Sequence, residues 1–284
     1  MSQHIHWYPG HIAKAQRELK EKISLVDVVI EIIDARIPYS SKYKNVQSLC
    51  LNKPRLILMN KTDLSDDKYD KIWADIISKI EKCDVFTTNL KNKNDVEKIY
   101  KKITFLANDI MQKRISKGML PRPVRTMVVG LPNTGKSSTI NKLVGRSKAK
   151  TGAKAGVTRS QQWVRINDKI ELLDTPGIIP TVQDDQKQAI NLAYVNSVGE
   201  NAYDSEFVAS NLLKILFNYY KNELLSYYNL DTEPALENIA LNKKWLLKQE
   251  KPDLKRTAQM VLSAFREGRI GKFTLERPEE FGLI

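Results

Sequence analysis

Short, near-continuous apolar runs recur between residues 27 and 177, and each ends in a polar tail. They are DVVIEIIDA (27–35), PRLILMNKTD (54–63), CDVFTTN (83–89), RTMVVGLPNTGKSS (125–138), QQWVRI (161–166) and KIELLDTPG (169–177). Most are β-branched and near-continuously apolar, the pattern of strands buried on both faces of a parallel sheet. Helix-patterned stretches at 68–82, 93–117 and 136–144 separate several of them. Strands alternating with helices predict an α/β fold with a doubly wound, mostly parallel sheet. The polar tails then fall at strand C-terminal ends, where such sheets bind ligands.

The pattern changes after about residue 182, where no strand-like run follows. Val208, Leu212, Ile215 and Tyr219 recur at helical spacing within 205–228, and Pro234 opens a second helical stretch over 234–248. Leu254, Ala258, Val261 and Phe265 line one face of a third, which stops at Gly268. The expected organisation is a sheet domain with its N-terminal segment over 1–182, a linker over 183–204, and a small all-α domain over 205–284. There are no internal repeats.

Composition narrows the function. No apolar run is long enough to span a bilayer, and no signal or transit pattern opens the chain. The two cysteines, Cys50 and Cys83, lack metal or redox spacing and read as reduced thiols of a cytoplasmic protein. Lys and Arg number 46 against 33 Asp and Glu, a net charge of +13, which favours a polyanionic partner such as nucleic acid.

GLPNTGKS (130–137) matches G-x-x-x-x-G-K-[ST] between a predicted strand and a predicted helix, the setting of a phosphate-cradling P-loop. Asn133, Thr134, Gly135, Lys136, Ser137 and Ser138 are its nucleotide-binding candidates. Lys136 would reach the β- and γ-phosphates and Ser137 would ligate Mg²⁺. The motif alone serves ATP or GTP. DTPG (174–177) adds Asp174 for Mg²⁺ and the Gly177 N–H for the γ-phosphate, and Thr158 in GAKAGVT is a further Mg²⁺ ligand candidate. NKTD (60–63) decides between the bases: a carboxylate at Asp63 can accept from guanine N1–H and the exocyclic amine, a donor pair adenine lacks. Asn60 and Lys61 accompany it, and Thr88 and Asn89 of the 87–90 segment are the base-backing candidates, although the usual Ser-Ala pair is absent there.

The guanine motif precedes the P-loop, which reverses the common order and implies a circular permutation of the sheet. With WYPGHIAKA (7–15), DVVIEIIDARIP (27–38), NKTD, GLPNTGKSS, GVT, DTPGI and AFREGRIGKFTLE (264–276), the chain resembles the circularly permuted GTPases, and within them the ribosome biogenesis GTPase A family. The resemblance implies GTP hydrolysis coupled to late maturation of the large ribosomal subunit, and rRNA contacts from the helical domain. A GTP-gated module binding another RNA, with incidental hydrolysis, is the alternative. The chain is expected to act as a monomer, away from membranes.

The position after Gly177, where many GTPases place a water-orienting Gln, is Ile178. His11 is the candidate water-positioning group, supported by the resemblance; anchoring the N-terminal segment or touching RNA phosphate is the competing role. Trp7 and Tyr8 would pin that segment and Pro9-Gly10 would turn it. Asn133 resembles the asparagine of potassium-activated GTPases and is a K⁺ ligand candidate. RNA-contact candidates are Lys148, Lys150 and Lys154, and then Lys243, Lys244, Lys248, Lys255, Arg256, Arg266 and Arg269, with Trp245 and Phe265 interleaved. Phe265 falls on the apolar stripe and reads as core.

Overall fold

The computed structural model describes residues 12–43, 46–50, 53–91, 93–145, 163–173, 177–178 and 185–283. Helix α1 (Ile12–Ser24) leads into strand β1 (Val28–Asp34), then α2 (Val46–Leu49), β2 (Arg55–Asn60), α3 (Asp67–Glu81) and β3 (Asp84–Thr88). Two helices, α4 (Lys93–Leu106) and α5 (Asn108–Ser116), precede β4 (Val124–Gly130) and α6 (Lys136–Val144). Strands β5 (Trp163–Asn167), β6 (Ile170–Leu173) and the short β7 (Gly177–Ile178) complete the sheet.

The strand order is β3-β2-β1-β4-β6-β5, with β7 also paired to β4. All pairings are parallel except β5 with β6. β1 and β2 are buried along their whole length, as their near-continuous apolar runs predict for a sheet covered on both faces, and two of the charges they do carry, Glu31 and Arg55, pair with each other at 2.9 Å. The register lines up the chemistry. Asp34 pairs with Asn60, Asn60 with Thr88, Ile32 with Gly130, and Gly130 with Ile178. The C-terminal ends of five strands therefore meet along one edge.

The remaining helices are α7 (Gln186–Tyr194), α8 (Ser205–Tyr219), α9 (Lys221–Tyr228), α10 (Leu236–Asn242) and α11 (Leu254–Arg266). Several differ from expectation. The helix expected over 93–117 is divided at buried Ala107 into α4 and α5. The stripe expected over 205–228 is broken at Tyr220. Within α8 the buried face is Val208, Ala209, Leu212, Leu213 and Leu216, whereas Tyr219 is exposed. The helix beginning near Pro234 stops at Asn242, and Lys244 then takes a left-handed φ of 55°.

The expected linker 183–204 contains α7. Asp185 caps it by accepting the N–H groups of Lys187 and Gln188, and Ala189, Leu192, Ala193 and Tyr194 are buried. These residues share one core with Met127 and Val129 of β4, with Val208 and Leu212 of α8, and with Val261 and Phe265 of α11. α7 thus joins the sheet to the helices through packing.

After α11 the chain returns across the sheet domain as an extended strap. The Phe273 N–H donates to the Leu64 carbonyl at 2.9 Å and the Leu275 N–H to the Arg36 carbonyl at 2.8 Å. The Glu276 carboxylate is buried. It accepts from the N–H groups of Tyr39 (2.7 Å) and Ser40 (3.0 Å) and from Asn191 Nδ2 (3.1 Å). Trp73 Nε1 donates to the Glu276 carbonyl at 3.2 Å. Three packed elements, the β1–α2 loop, α7 and α3, are stitched together by this one residue.

Candidate functional site

The P-loop candidate leaves β4 at Gly130, where φ is 153° and a Cβ would lie 2.6 Å from the Ile32 carbonyl oxygen. Asn133 and Gly135 also take left-handed φ values of 57° and 102°. Two internal bonds shape the turn, Thr134 Oγ1 to the Leu131 carbonyl (2.9 Å) and Thr139 Oγ1 to the Gly135 carbonyl (2.9 Å). Ser137 and Ser138 stand exposed in the first turn of α6, where helix N–H groups attract anions. Lys136 is buried and donates to the Leu131 carbonyl at 2.6 Å. Burial, aided by the neighbouring Lys61 charge, lowers its pKa to about 8. A phosphate supplies the opposite charge that such an ammonium requires.

The guanine motif meets this loop directly. Asn60 Nδ2 donates to the Thr134 carbonyl at 3.1 Å, and Lys61 Nζ donates to the Asn133 carbonyl at 2.6 Å. Asp63 pairs with Lys91 at 2.7 Å, so the carboxylate lies beside the 87–90 segment. In that segment the Thr88 hydroxyl donates to Asp95 (3.0 Å) and accepts from the Leu90 N–H (2.8 Å). Asn89 Oδ1 accepts from the Lys91 N–H (2.9 Å). Both side chains shape the turn itself. A groove of about 1050 Å³ runs from Leu90 and Lys91 past Tyr100 to Ser138 and Asn141.

Five contributing residues were given no role from the sequence: Asp34, Arg36, Lys91, Asn196 and Ser197. Fully buried Asp34 accepts from Arg36 Nε (2.9 Å), Arg36 Nη2 (2.8 Å) and the Arg36 N–H (3.1 Å), and pairs with Lys61 Nζ at 2.9 Å. Burial opposes its charge, but Arg36 and then Lys61 overcome that and hold its pKa well below the usual carboxylate range. Arg36 Nη1 donates onward to the Arg266 carbonyl at 3.3 Å. Arg266 in turn donates to the Tyr194 (3.0 Å) and Ala193 (2.9 Å) carbonyls at the end of α7. Beyond that end, Asn133 Nδ2 donates to the Asn196 carbonyl, and Ser197 Oγ donates to the Pro132 carbonyl at 2.6 Å. The P-loop, guanine motif, α11 and α7 form a closed hydrogen-bonded ring.

This ring changes the basic face. Arg266, expected to contact RNA, caps α7 and pairs with Glu200 at 3.0 Å, so its guanidinium is directed inward. Lys243, Lys244, Lys248, Lys255 and Arg256 are exposed. Arg269 is exposed but pairs with Glu267 at 2.9 Å. Trp245 is half-buried against the core, and Phe265 is core. His11, Thr158, Asp174, Lys148, Lys150 and Lys154 lie outside the described residues, as do Trp7 and Tyr8. Gly177 is present through its backbone, paired with Val129.

Residues 125–243 match the family described as 50S ribosome-binding GTPase. Ribosome biogenesis GTPase A of Bacillus cereus is 36% identical, over 98% of this chain and 95% of its own. The chain belongs to the ribosome biogenesis GTPase A family. It is accordingly a guanine-nucleotide-binding GTPase. Two solved structures have the family's fold. A GDP-bound YlqF matches with TM-score 0.66 at 26% identity, over 93% of this chain and all of its own. GNP-bound YlqF from T. maritima matches with TM-score 0.65 at 27% identity, over 94% of this chain and 99% of its own.

Proposed function

We propose that this GTPase is an assembly factor for the large ribosomal subunit, docking on pre-ribosomal particles through rRNA and leaving after GTP hydrolysis. The observation that carries the reading is the convergence of NKTD and the P-loop at one sheet edge, bonded from there to the helix that ends in the basic region. Nucleotide state and the RNA-facing part are parts of one hydrogen-bonded unit. Lys243, Lys244, Lys248, Lys255, Arg256 and Arg269 supply phosphate contacts there, with Lys148, Lys150 and Lys154 added from the G domain. The sheet domain over 1–182 binds GTP and the helices over 205–284 bind RNA. No helix among the described residues is long and apolar enough to cross a membrane, and a cytoplasmic site of action is part of the proposal.

Within the site, Asp63 reads guanine with Asn60 and Lys61 holding the loop, Thr88 and Asn89 back the base, and the residues 133–138 wrap the phosphates. The exposed Ser137 hydroxyl is a hard oxygen donor at a helix N-terminus, which fits Mg²⁺; Thr158 and Asp174 would complete its protein ligands. Bound there, Mg²⁺ would supply charge neutralisation for the β- and γ-phosphate oxygens. Lys136 holds the same oxygens, the Gly177 N–H faces the γ-phosphate, and His11 orients the water. Asn133 would hold K⁺, in which case turnover in KCl exceeds that in NaCl.

The test is GTP turnover alone, with isolated large subunits and with isolated small subunits. Stimulation by large subunits only is expected. Equal turnover in all three arms would favour the GTP-gated module acting on another RNA.

A further inference from the structure

We propose that Asp34 is a positioning residue for guanine-nucleotide binding, holding the Lys61 ammonium across the P-loop turn. The inference rests on the reading that Lys61 belongs to the nucleotide site.

Asp34 is the last residue of β1, a central strand with β2 on one side and β4 on the other. It is in register with Asn60 of β2, and its own N–H donates to Ser41 Oγ at 2.9 Å. The side chain is locked as firmly. Both carboxylate oxygens face Arg36 in a bidentate pair, and Oδ2 is shared with Lys61. Bidentate pairing of this kind fixes direction as well as charge.

Lys61 needs such a partner. It leaves β2 with a left-handed φ of 66° and carries a long, flexible side chain. The like charge of buried Lys136 acts against it at close range. Asp34 supplies the compensating charge, which leaves another ammonium N–H of Lys61 aimed at the Asn133 carbonyl, 2.6 Å away. Asn133 sits in the turn whose N–H groups must converge on phosphate. Fixing its carbonyl on one side fixes the opposite, donating side of the peptide plane. Preorganisation of this kind raises affinity by lowering the ordering cost of binding. Asp34 contributes without touching the nucleotide.

The experiment is a double-mutant cycle on GDP affinity, using fluorescently labelled GDP with wild type, Asp34→Asn, Lys61→Met and the double variant. Each single change is expected to weaken GDP about tenfold, the scale of one charge-assisted hydrogen bond. The double variant should be no weaker than Lys61→Met alone, because Asp34 acts through Lys61. Unchanged affinity in Asp34→Asn, or full additivity, would overturn the proposal. Unchanged affinity in Lys61→Met would instead remove Lys61 from the nucleotide site, and the underlying reading with it. If Asp34→Asn does not fold, wild-type protein answers the question. In its GDP complex, a hydrogen-bond scalar coupling between the Lys61 ammonium nitrogen and the Asp34 carboxylate carbon is expected, and its absence under conditions that resolve the Lys61 ammonium signal overturns the proposal.

Discussion

Asn60 and Gly135 approach so closely that a Cβ on Gly135 would lie 2.2 Å from Asn60 Nδ2. The glycine is needed twice over, since its φ of 102° also disfavours any side chain. Gly135→Ala must displace Asn60 from the Thr134 carbonyl or strain the turn, at a cost of about 1–3 kcal/mol. GDP affinity should fall roughly five- to 150-fold by the corresponding conversion, read by titration. An unchanged affinity would mean that the Asn60–Thr134 contact does not organise the phosphate loop.

The motifs were legible because their chemistry dictates residue type. A turn at positive φ selects Gly130 and Gly135, and a strand buried on both faces is mostly apolar. The contacts between motifs were not legible. Asp34 and Arg36 fall in a stretch that carries the family resemblance, but nothing in DAR says that the acid will face Lys61. α7 was hidden by its polar start, QDDQKQ, although Ala189, Leu192 and Ala193 further on face the core. Arg266 looked like its basic neighbours, because charge along a chain carries no direction, and only packing turned it toward the end of α7. The strap through Glu276 depends on partners far away in sequence, which local patterning cannot reach.

His11→Ala should leave GTP affinity intact and slow turnover about a hundredfold, the lower range for a lost acid–base or water-orienting group. Ile178 stands where a glutamine would orient water and offers no hydrogen bond. Its backbone pairs with Gly130 at the start of the P-loop. Helix α1, which begins directly after His11, packs against β7, the strand carrying Ile178. The measurement is single-turnover hydrolysis with and without large subunits. An unaltered rate in both would assign His11 to anchoring or to RNA contact instead.

The strap makes stability depend on pH. Burial raises the Glu276 pKa to about 7, although the N–H groups of Tyr39 and Ser40 and the Asn191 amide act the other way. Between about 4.5 and 7 the folded chain therefore holds a proton that the unfolded chain has released. Stability falls as pH rises through that window and levels above it. The loss is on the order of 3 kcal/mol at about 1.4 kcal/mol per pH unit. Asp70, pushed up to about 6 by burial, adds a fall of the same sign. Glu276→Gln removes only the first contribution. The drop in Tm from pH 5 to pH 8 should therefore be smaller in the variant than in wild type, by a few degrees on this scale. Parallel pH profiles would show that Glu276 is ionised in the folded protein at pH 5.

Two sets of substitutions separate phosphate contacts from internal caps on the basic face. Lys243, Lys244 and Lys248 are exposed around the turn after α10. Lys243 retains a weak 3.4 Å bond to the Tyr227 carbonyl, and its ammonium lies over the Tyr227 ring. Changing all three to Gln should barely move Tm, because surface charges of this kind contribute little to stability. If each neutralises one RNA phosphate, the slope of log affinity for large subunits against log salt should flatten by about 0.7–0.9 per residue. Arg266→Gln should behave in the opposite way. It strips the cap from α7 and leaves the Tyr194 and Ala193 carbonyls without this donor, so Tm should fall, while the salt slope stays as in wild type. Binding titrations at several KCl concentrations, beside thermal melts, resolve the two. A flattened slope in Arg266→Gln with unchanged melting would return this arginine to the RNA surface. It would also break the ring at α11, because a guanidinium holding phosphate cannot at the same time hold the end of α7.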